Sequence, residues 1–322
     1  MNETQGLARG HGLATVRSLL GRYGIVLVVI LLVVFLSSQS SAFLTTRNIL
    51  NLFAQVAPAG IIACGAAIVI IGGGFDLSSG AVFAISGVVA ALVANLVSVE
   101  VGIAAGVLLG LFLGLVNGSI IAVFGINSFI ATLATGFVYR GVATIMTGGF
   151  LVVVADPAFS WIGNARIATV PVPAILFALV ALVSGFVLAK TKFGSFVYAI
   201  GGNSEAAWLS GVRVNLVRIS TYGVSGLCAG IAGVMAASRV STGQADAGMG
   251  LELTVIAAVV VGGISIRGGE GAIWRAVVGI VLIALIGNGF NILNINPFYQ
   301  SIAQGLIILV AVAADARARR TG

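Results

Sequence analysis

Few side chains in this 322-residue chain are equipped for chemistry, and those few lie in apolar surroundings. Asp76 stands among glycines in GGGFDLSSG, residues 72–80, between two apolar runs. A carboxylate there suits a gate or an ion relay. It equally suits a helix cap at the cytoplasmic boundary, with Ser78 or Ser79 starting the next helix, where the helix dipole favours negative charge. Arg140 falls within an apolar run and needs a carboxylate, backbone carbonyls or an interface to reach towards. Asn117, Asn127, Thr132 and Asn288 recur in such runs, as do Gln55, Asn95, Thr135, Asn291, Gln300 and Gln304. These groups can face a water-filled path or hydrogen-bond from helix to helix, because each is costly in lipid without a partner.

Catalytic constellations are missing from the sequence. There is no GxxxxGK[ST] phosphate cradle and no HExxH, and Gly72–Gly74 does not complete GxGxxG. His11, the single histidine, sits in a polar N-terminal stretch. Cys64 and Cys228 both fall inside apolar runs and read as small buried hydrophobes rather than a disulfide or metal ligands. The chain is therefore expected to be no enzyme, to bind no metal or cofactor, and to leave any ATP hydrolysis to a partner subunit.

The elements that position these residues follow from composition. Hydrophobic residues make up 59% of the chain and charged ones 8%, against about 25% charged in soluble domains. Such a chain is an all-α polytopic membrane protein, because its apolar runs are continuous rather than alternating. The 45 glycines, against 5 prolines, suit helices that approach one another closely in lipid. Apolar runs fall at 24–36, 52–71, 79–98, 102–121, 127–147, 172–190, 216–237, 252–266, 272–290 and 300–314. That predicts about ten transmembrane helices, eight to ten given the short runs 252–266 and 300–314. The first run resembles a signal sequence, but the many spans behind it favour an uncleaved helix. Residues 23–315 read as one transmembrane domain between a cytoplasmic tail, 1–22, and a basic cytoplasmic tail, 316–322.

Orientation comes from the basic residues. With both termini cytoplasmic, Arg47, Arg166 and Arg239 lie outside, Arg140 lies within a span, and the other twelve of the sixteen lie inside. The net charge of +7 thus marks topology, and no basic stripe interleaved with aromatics points to nucleic acid. The outer segment 148–171 is long enough to be a cap, a partner surface or an ordinary loop. Inside, 190–218 is the longest connection: Asn203 or Ser204 can cap a short helix through Glu205, Ala206, Ala207, Trp208 and Leu209, and Gly211 can end it. Two internal echoes, 69–80 with 259–271 and 117–129 with 288–298, are compatible with a repeat or with chance glycine similarity.

Strings spread along the chain then carry a resemblance. They are GGGFDLSSGAVFAISG at 72–87, GLVNGSIIAVFGINSFIATLAT at 114–135, YRGVATIMTGG at 139–149 and AIGGNSEAAWLSGVRVN at 199–215. YGVSGLCAGIAGVMAASR at 222–239, AGMGLELTVIAAVVVGG at 247–263 and NPFYQSIAQGLIILVAV at 296–312 complete the set. Over residues 40–315 the chain resembles permease subunits of bacterial ATP-binding-cassette importers for monosaccharides, of the ribose, xylose and arabinose type. One departure is mild: Phe75 and paired serines stand where relatives often have isoleucine and Ser-Val.

The resemblance implies a bacterial inner-membrane subunit that pairs with a second copy (a homodimer) or a paralogous permease. It implies an extracytoplasmic sugar-binding protein above, a cytoplasmic ATP-binding-cassette ATPase below, and a pentose or hexose as cargo. Gly201, Gly202, Asn203, Glu205, Ala206, Ala207 and Gly211 then correspond to the loop that docks on the ATPase. The alternatives are a branched-chain amino-acid permease of the same importer class, an ion-coupled carrier using Asp76 and Arg140, and a membrane scaffold.

Overall fold

The computed structural model describes residues 24–296 and, beyond them, 299, 300, 302, 305, 306 and 309. His11, Gln304, both predicted tails and the basic residues in those tails lie outside the described residues.

The protein is a helical bundle. Its elements are α1 (Gly24–Gln39), α2 (Thr46–Ile71), α3 (Ser79–Leu96), α4 (Val99–Phe124), α5 (Ser128–Thr147), α6 (Trp161–Asn164) and α7 (Val172–Lys190). They continue as α8 (Lys192–Gly202), α9 (Ser204–Leu209), α10 (Val214–Val240), α11 (Leu251–Val261) and α12 (Ile273–Ile292). Seven of these (α2, α3, α4, α5, α7, α10 and α12) are long and apolar enough to cross a membrane, while α1 and α11 are apolar but shorter. The architecture is that of a polytopic all-α membrane protein. The run predicted at 252–266 is a helix only to Val261, because Gly262 and Gly263 close it with the Gly262 amide on the Ala258 carbonyl and Gly263 at φ +91°.

Helix ends obey local chemistry. Thr45, Ser98 and Asn127 accept hydrogen bonds from the first turns of α2, α4 and α5 through their side chains. Gly125 and Gly148, both left-handed, end α4 and α5.

Glycine decides the central packing. Gly102, Gly106, Gly110, Gly114 and Gly118 recur every four residues on α4 and are all buried. A Cβ on Gly110 would lie 2.5 Å from the Gly226 carbonyl oxygen and 2.6 Å from Gly230 Cα, both on α10. Since helix backbones this close leave no room for a side chain, the seam between α4 and α10 exists only with glycine on it. Around it, α2 supplies an apolar core from Ala57 to Ile71, including Ile61, Ile62, Ile68 and Ile70.

The connections gather at two opposite ends of the bundle. At one end the 72–74 turn, the α8–α9 junction and the 262–271 loop meet. At the other, 148–171 folds against the end of α10 as an ordered cap. There, β1 (Val152–Val153) pairs antiparallel with β4 (Thr242–Gly243), and β2 (Arg166–Ile167) with β3 (Val170–Pro171). Phe159 is fully buried, and Ser238 Oγ donates to its carbonyl at 2.6 Å. Asn95 reaches the same cap, with its amide on the Val153 carbonyl at 2.9 Å.

The first sequence echo is also an echo of backbone. Gly72, Gly73 and Gly74 donate to Ile68, Ile70 and Val69, while Gly262, Gly263 and Ile264 donate to Ala258, Val260 and Val259. The same capping pattern thus ends α2 and α11, and the two loops touch.

Candidate functional site

Polar residues scattered through the apolar runs gather around the break between α2 and α3. After Gly74 the chain turns back into the bundle as an extended segment, where Asp76 is buried. Its Oδ1 accepts from the Ser78 amide at 3.0 Å and from Ser78 Oγ at 2.5 Å. Its Oδ2 accepts from Ser225 Oγ of α10 at 2.7 Å. Asn117 of α4 donates to Ser78 Oγ at 2.7 Å, and Tyr139 of α5 donates to Asn117 Oδ1 at 2.8 Å.

The backbone of the break is served as well. The Phe75 amide donates to Ser128 Oγ at 3.1 Å, the Leu77 amide to Thr132 Oγ1 at 3.0 Å, and Tyr222 OH to the Phe75 carbonyl at 3.0 Å. Two helices, α5 and α10, therefore provide with side chains the backbone hydrogen bonds that α2 and α3 cannot make where they separate, and α4 adds Asn117 to the Ser78 hydroxyl. Without those partners each buried group would cost roughly 1–3 kcal/mol.

Asp76 sits deeper than the boundary cap expected of it. Ser225 stands eleven residues into α10, about 16 Å along the axis, and Asp76 meets it there. Ser78 occupies the N-cap position of α3, yet its hydroxyl turns to Asp76 instead of a first-turn amide. Asp76 itself takes the Ser78 amide and so anchors the helix start.

The other singled-out residues separate. Thr132, buried with Asn117, lines the same closed network. Asn127 is exposed and caps α5 through the Phe129 amide at 2.9 Å. Arg140 Nη1 donates to the carbonyls of Ala245 at 2.8 Å and Ala247 at 3.2 Å, which are the backbone partners its position demanded. Asn288 exchanges amide hydrogen bonds with Asn48 of α2 at 3.0 and 3.1 Å and borders a separate cavity. Ser225, Tyr139, Tyr222 and Ser128 were not foreseen. Their only trace in the sequence is a hydroxyl interrupting an apolar run.

The connection 190–218 folds into α8 and α9, of which only α9 was expected. Thr191 caps α8 by accepting from the Gly194 amide. Asn203 Oδ1 accepts from the Ala206 amide at 2.9 Å, and Gly211 (φ +85°) follows the end of α9. Ala207 is buried, whereas Glu205, Trp208 and Leu209 are exposed, the last two at 65% and 73%. Gly201 lies against the end of α2: a Cβ there would collide with the Ile71 carbonyl oxygen and lie 2.5 Å from the Gly269 nitrogen. A Cβ on Gly268 would likewise lie 2.8 Å from Gly73 Cα. Three backbones thus meet with no side chain between them, and Tyr198 OH fastens the junction to the Gly271 carbonyl at 2.8 Å.

The family described as the permease component of branched-chain amino acid transport systems matches residues 48–312. This chain belongs to that permease family. It is similar to the ribose import permease protein RbsC of Bacillus subtilis, 41% identical over 288 residues, which cover 88% of this chain and 89% of that protein. It is also similar to the L-arabinose transport system permease protein AraH of Escherichia coli, 41% identical over 304 residues and 93% of each chain. The D-allose transport system permease protein AlsC of Escherichia coli is 36% identical over 297 residues and 91% of each chain. No solved structure matches the chain. The resemblance read from the sequence therefore holds: the chain is a multi-pass permease subunit of a bacterial plasma-membrane importer, and not itself an enzyme.

Proposed function

We propose that this chain translocates a monosaccharide, a pentose or hexose, as one membrane half of an ATP-binding-cassette importer. An extracytoplasmic sugar-binding protein delivers the cargo, a cytoplasmic ATPase supplies the energy, and a second copy or a paralogous permease completes the path. Ten spans cross the membrane, with α1, α11 and the segment around 300–314 added to the seven long helices, and both termini face the cytoplasm. Residues 23–315 act as one permease domain between the tails 1–22 and 316–322.

The single observation that carries the mechanism is the backbone wedge at Gly201. The loop 190–218 presents Trp208 and Leu209 outwards beside Glu205, and its other end touches α2 at the residue before the break. In this reading Gly201, Gly202, Asn203, Glu205, Ala206, Ala207 and Gly211 form the docking segment. Push on that segment is delivered to Ile71 and so to the break at 72–78, where Asp76 and Ser78 set the position of α3 and act as the gate. Asn117 and Thr132 hold the wall behind that gate, Arg140 ties the 245–247 segment to α5, Asn127 caps α5, and Asn288 faces the path. Charge neutrality along the path is not required of Asp76, because it acts as a hydrogen-bonded anchor and not as a relay.

Sugar is favoured as cargo because ribose, arabinose and allose permeases align over about nine-tenths of the chain. A branched-chain amino acid is the second reading, carried by the family description. The test is reconstitution of the chain with its ATPase and binding protein in vesicles. Accumulation of a labelled aldose with ATP, and none from the chain alone, supports the proposal. Accumulation by the chain alone would replace it with an ion-coupled carrier.

A further inference from the structure

At the outer half of the bundle, α2, α11 and α12 enclose a cavity of about 210 Å³ bordered by Gln55, Thr254, Asn288, Asn291 and Gln300. That is far more than the roughly 30 Å³ a water occupies in the liquid, so the space is of small-solute size. Asn288 is engaged with Asn48, but the side-chain amides of Gln55, Asn291 and Gln300 make no hydrogen bond to any described residue. Gly287 admits the Gln300 head, since a Cβ there would lie 2.8 Å from Gln300 Nε2. Gln55 stands nine residues into α2, about 14 Å along the axis, and is exposed.

Without a partner among the described residues, an amide at that depth would cost roughly 2–7 kcal/mol against hydrocarbon, which favours a face turned to water or to solute. Each amide offers a donor and an acceptor together, which matches the dual character of a hydroxyl. Leu52, Val56, Ile280 and Ile283 supply an apolar wall for the C–H face of a ring. No charged side chain borders the cavity among the described residues. An ammonium and a carboxylate would therefore be desolvated there without partners.

We infer that this cavity is a binding station for a neutral polyhydroxyl solute, one aldose ring, with Gln55, Asn291 and Gln300 as its hydrogen-bonding groups. The inference rests on the monosaccharide reading and adds to it a place where the sugar pauses after release from the binding protein.

The test uses the full importer in vesicles, the chain with its ATPase and binding protein. Gln55→Met together with Gln300→Met keeps shape and removes both amides. With about 0.5–1.5 kcal/mol per hydrogen bond, aldose uptake is expected to fall about tenfold. Co-purification with the ATPase and stimulation by loaded binding protein should stay within about twofold, since neither amide supports the fold. In a second arm, Asn291→Cys is treated with a small water-soluble thiol reagent. The transported aldose should slow its modification and a branched-chain amino acid should not. Unchanged uptake in the double variant, or labelling that the aldose leaves unslowed, overturns the station. Should the wild-type importer accumulate a branched-chain amino acid and no aldose, the monosaccharide reading itself falls, whatever the variants do.

Discussion

Two polar clusters in this bundle are built from the same residue types and behave in opposite ways. Around Asp76, amides, hydroxyls and one carboxylate are buried, and each named group has a partner between 2.5 and 3.1 Å. Around Gln55, Asn291 and Gln300 the side-chain amides have no partner among the described residues and border open space. The first cluster spends its hydrogen bonds on holding a helix break together. The second keeps them available. A polar residue within a span is thus no pointer to a solute path by itself; what matters is whether its valences are already filled.

The sharpest way to break that contrast is Asp76→Ala. It strands the Ser78 amide and the Ser78 and Ser225 hydroxyls, so the protein should lose about 2–4 kcal/mol, seen as a lower melting temperature in detergent. Asp76→Asn, which keeps shape and acceptor, should stay within about 1 kcal/mol and retain transport; lost transport in a stable Asn variant would return a proton or ion relay to Asp76.

Next is Gly201→Ala. Its methyl group meets the Ile71 carbonyl, and relief of that overlap should cost about 1–3 kcal/mol. Stimulation of ATPase by loaded binding protein should drop while the subunit still docks; unchanged stimulation would remove the wedge from the coupling route.

Smaller again is Tyr139→Phe, which leaves Asn117 Oδ1 short of one donor. A loss of about 1 kcal/mol in thermal stability is expected, with uptake unchanged in kind. The smallest stability effect belongs to the open cluster: Gln55→Met should change stability by less than about 0.5 kcal/mol while lowering uptake. A large loss of stability there would show that the amide was structural and erase the difference between the clusters.

Much of the fold was legible before the structure. Nine of the ten predicted apolar runs hold helices, one of them only to Val261, and the tenth is helical at its described residues 300, 302, 305, 306 and 309. The cap by Asn203 and the stop at Gly211 follow from local chemistry. The extra helix α8 escaped notice because KFGSFVYAIGG is short, aromatic and glycine-bearing, with weak helical propensity, and it is held by packing of Val197 and Ile200 into the core. The depth of Asp76 escaped notice for a different reason. GGGFDLSSG reads as a boundary turn, and nothing local says that the chain re-enters the bundle.

The sequence by itself determined the class: low charge and long apolar runs leave a multi-span helical membrane protein with few other solutions. It also determined where helices stop, since caps and left-handed glycines act within a few residues. Only the tertiary structure decided which polar groups are partnered. Ser225 and Asp76 are 149 residues apart, and Asn48 and Asn288 are 240. A hydrogen bond is satisfied in space: the seam of glycines between α4 and α10, legible as a period but not as a partner, sets Asn117 and Ser225 beside the same break, while the packing of α12 on α2 brings Asn288 to Asn48.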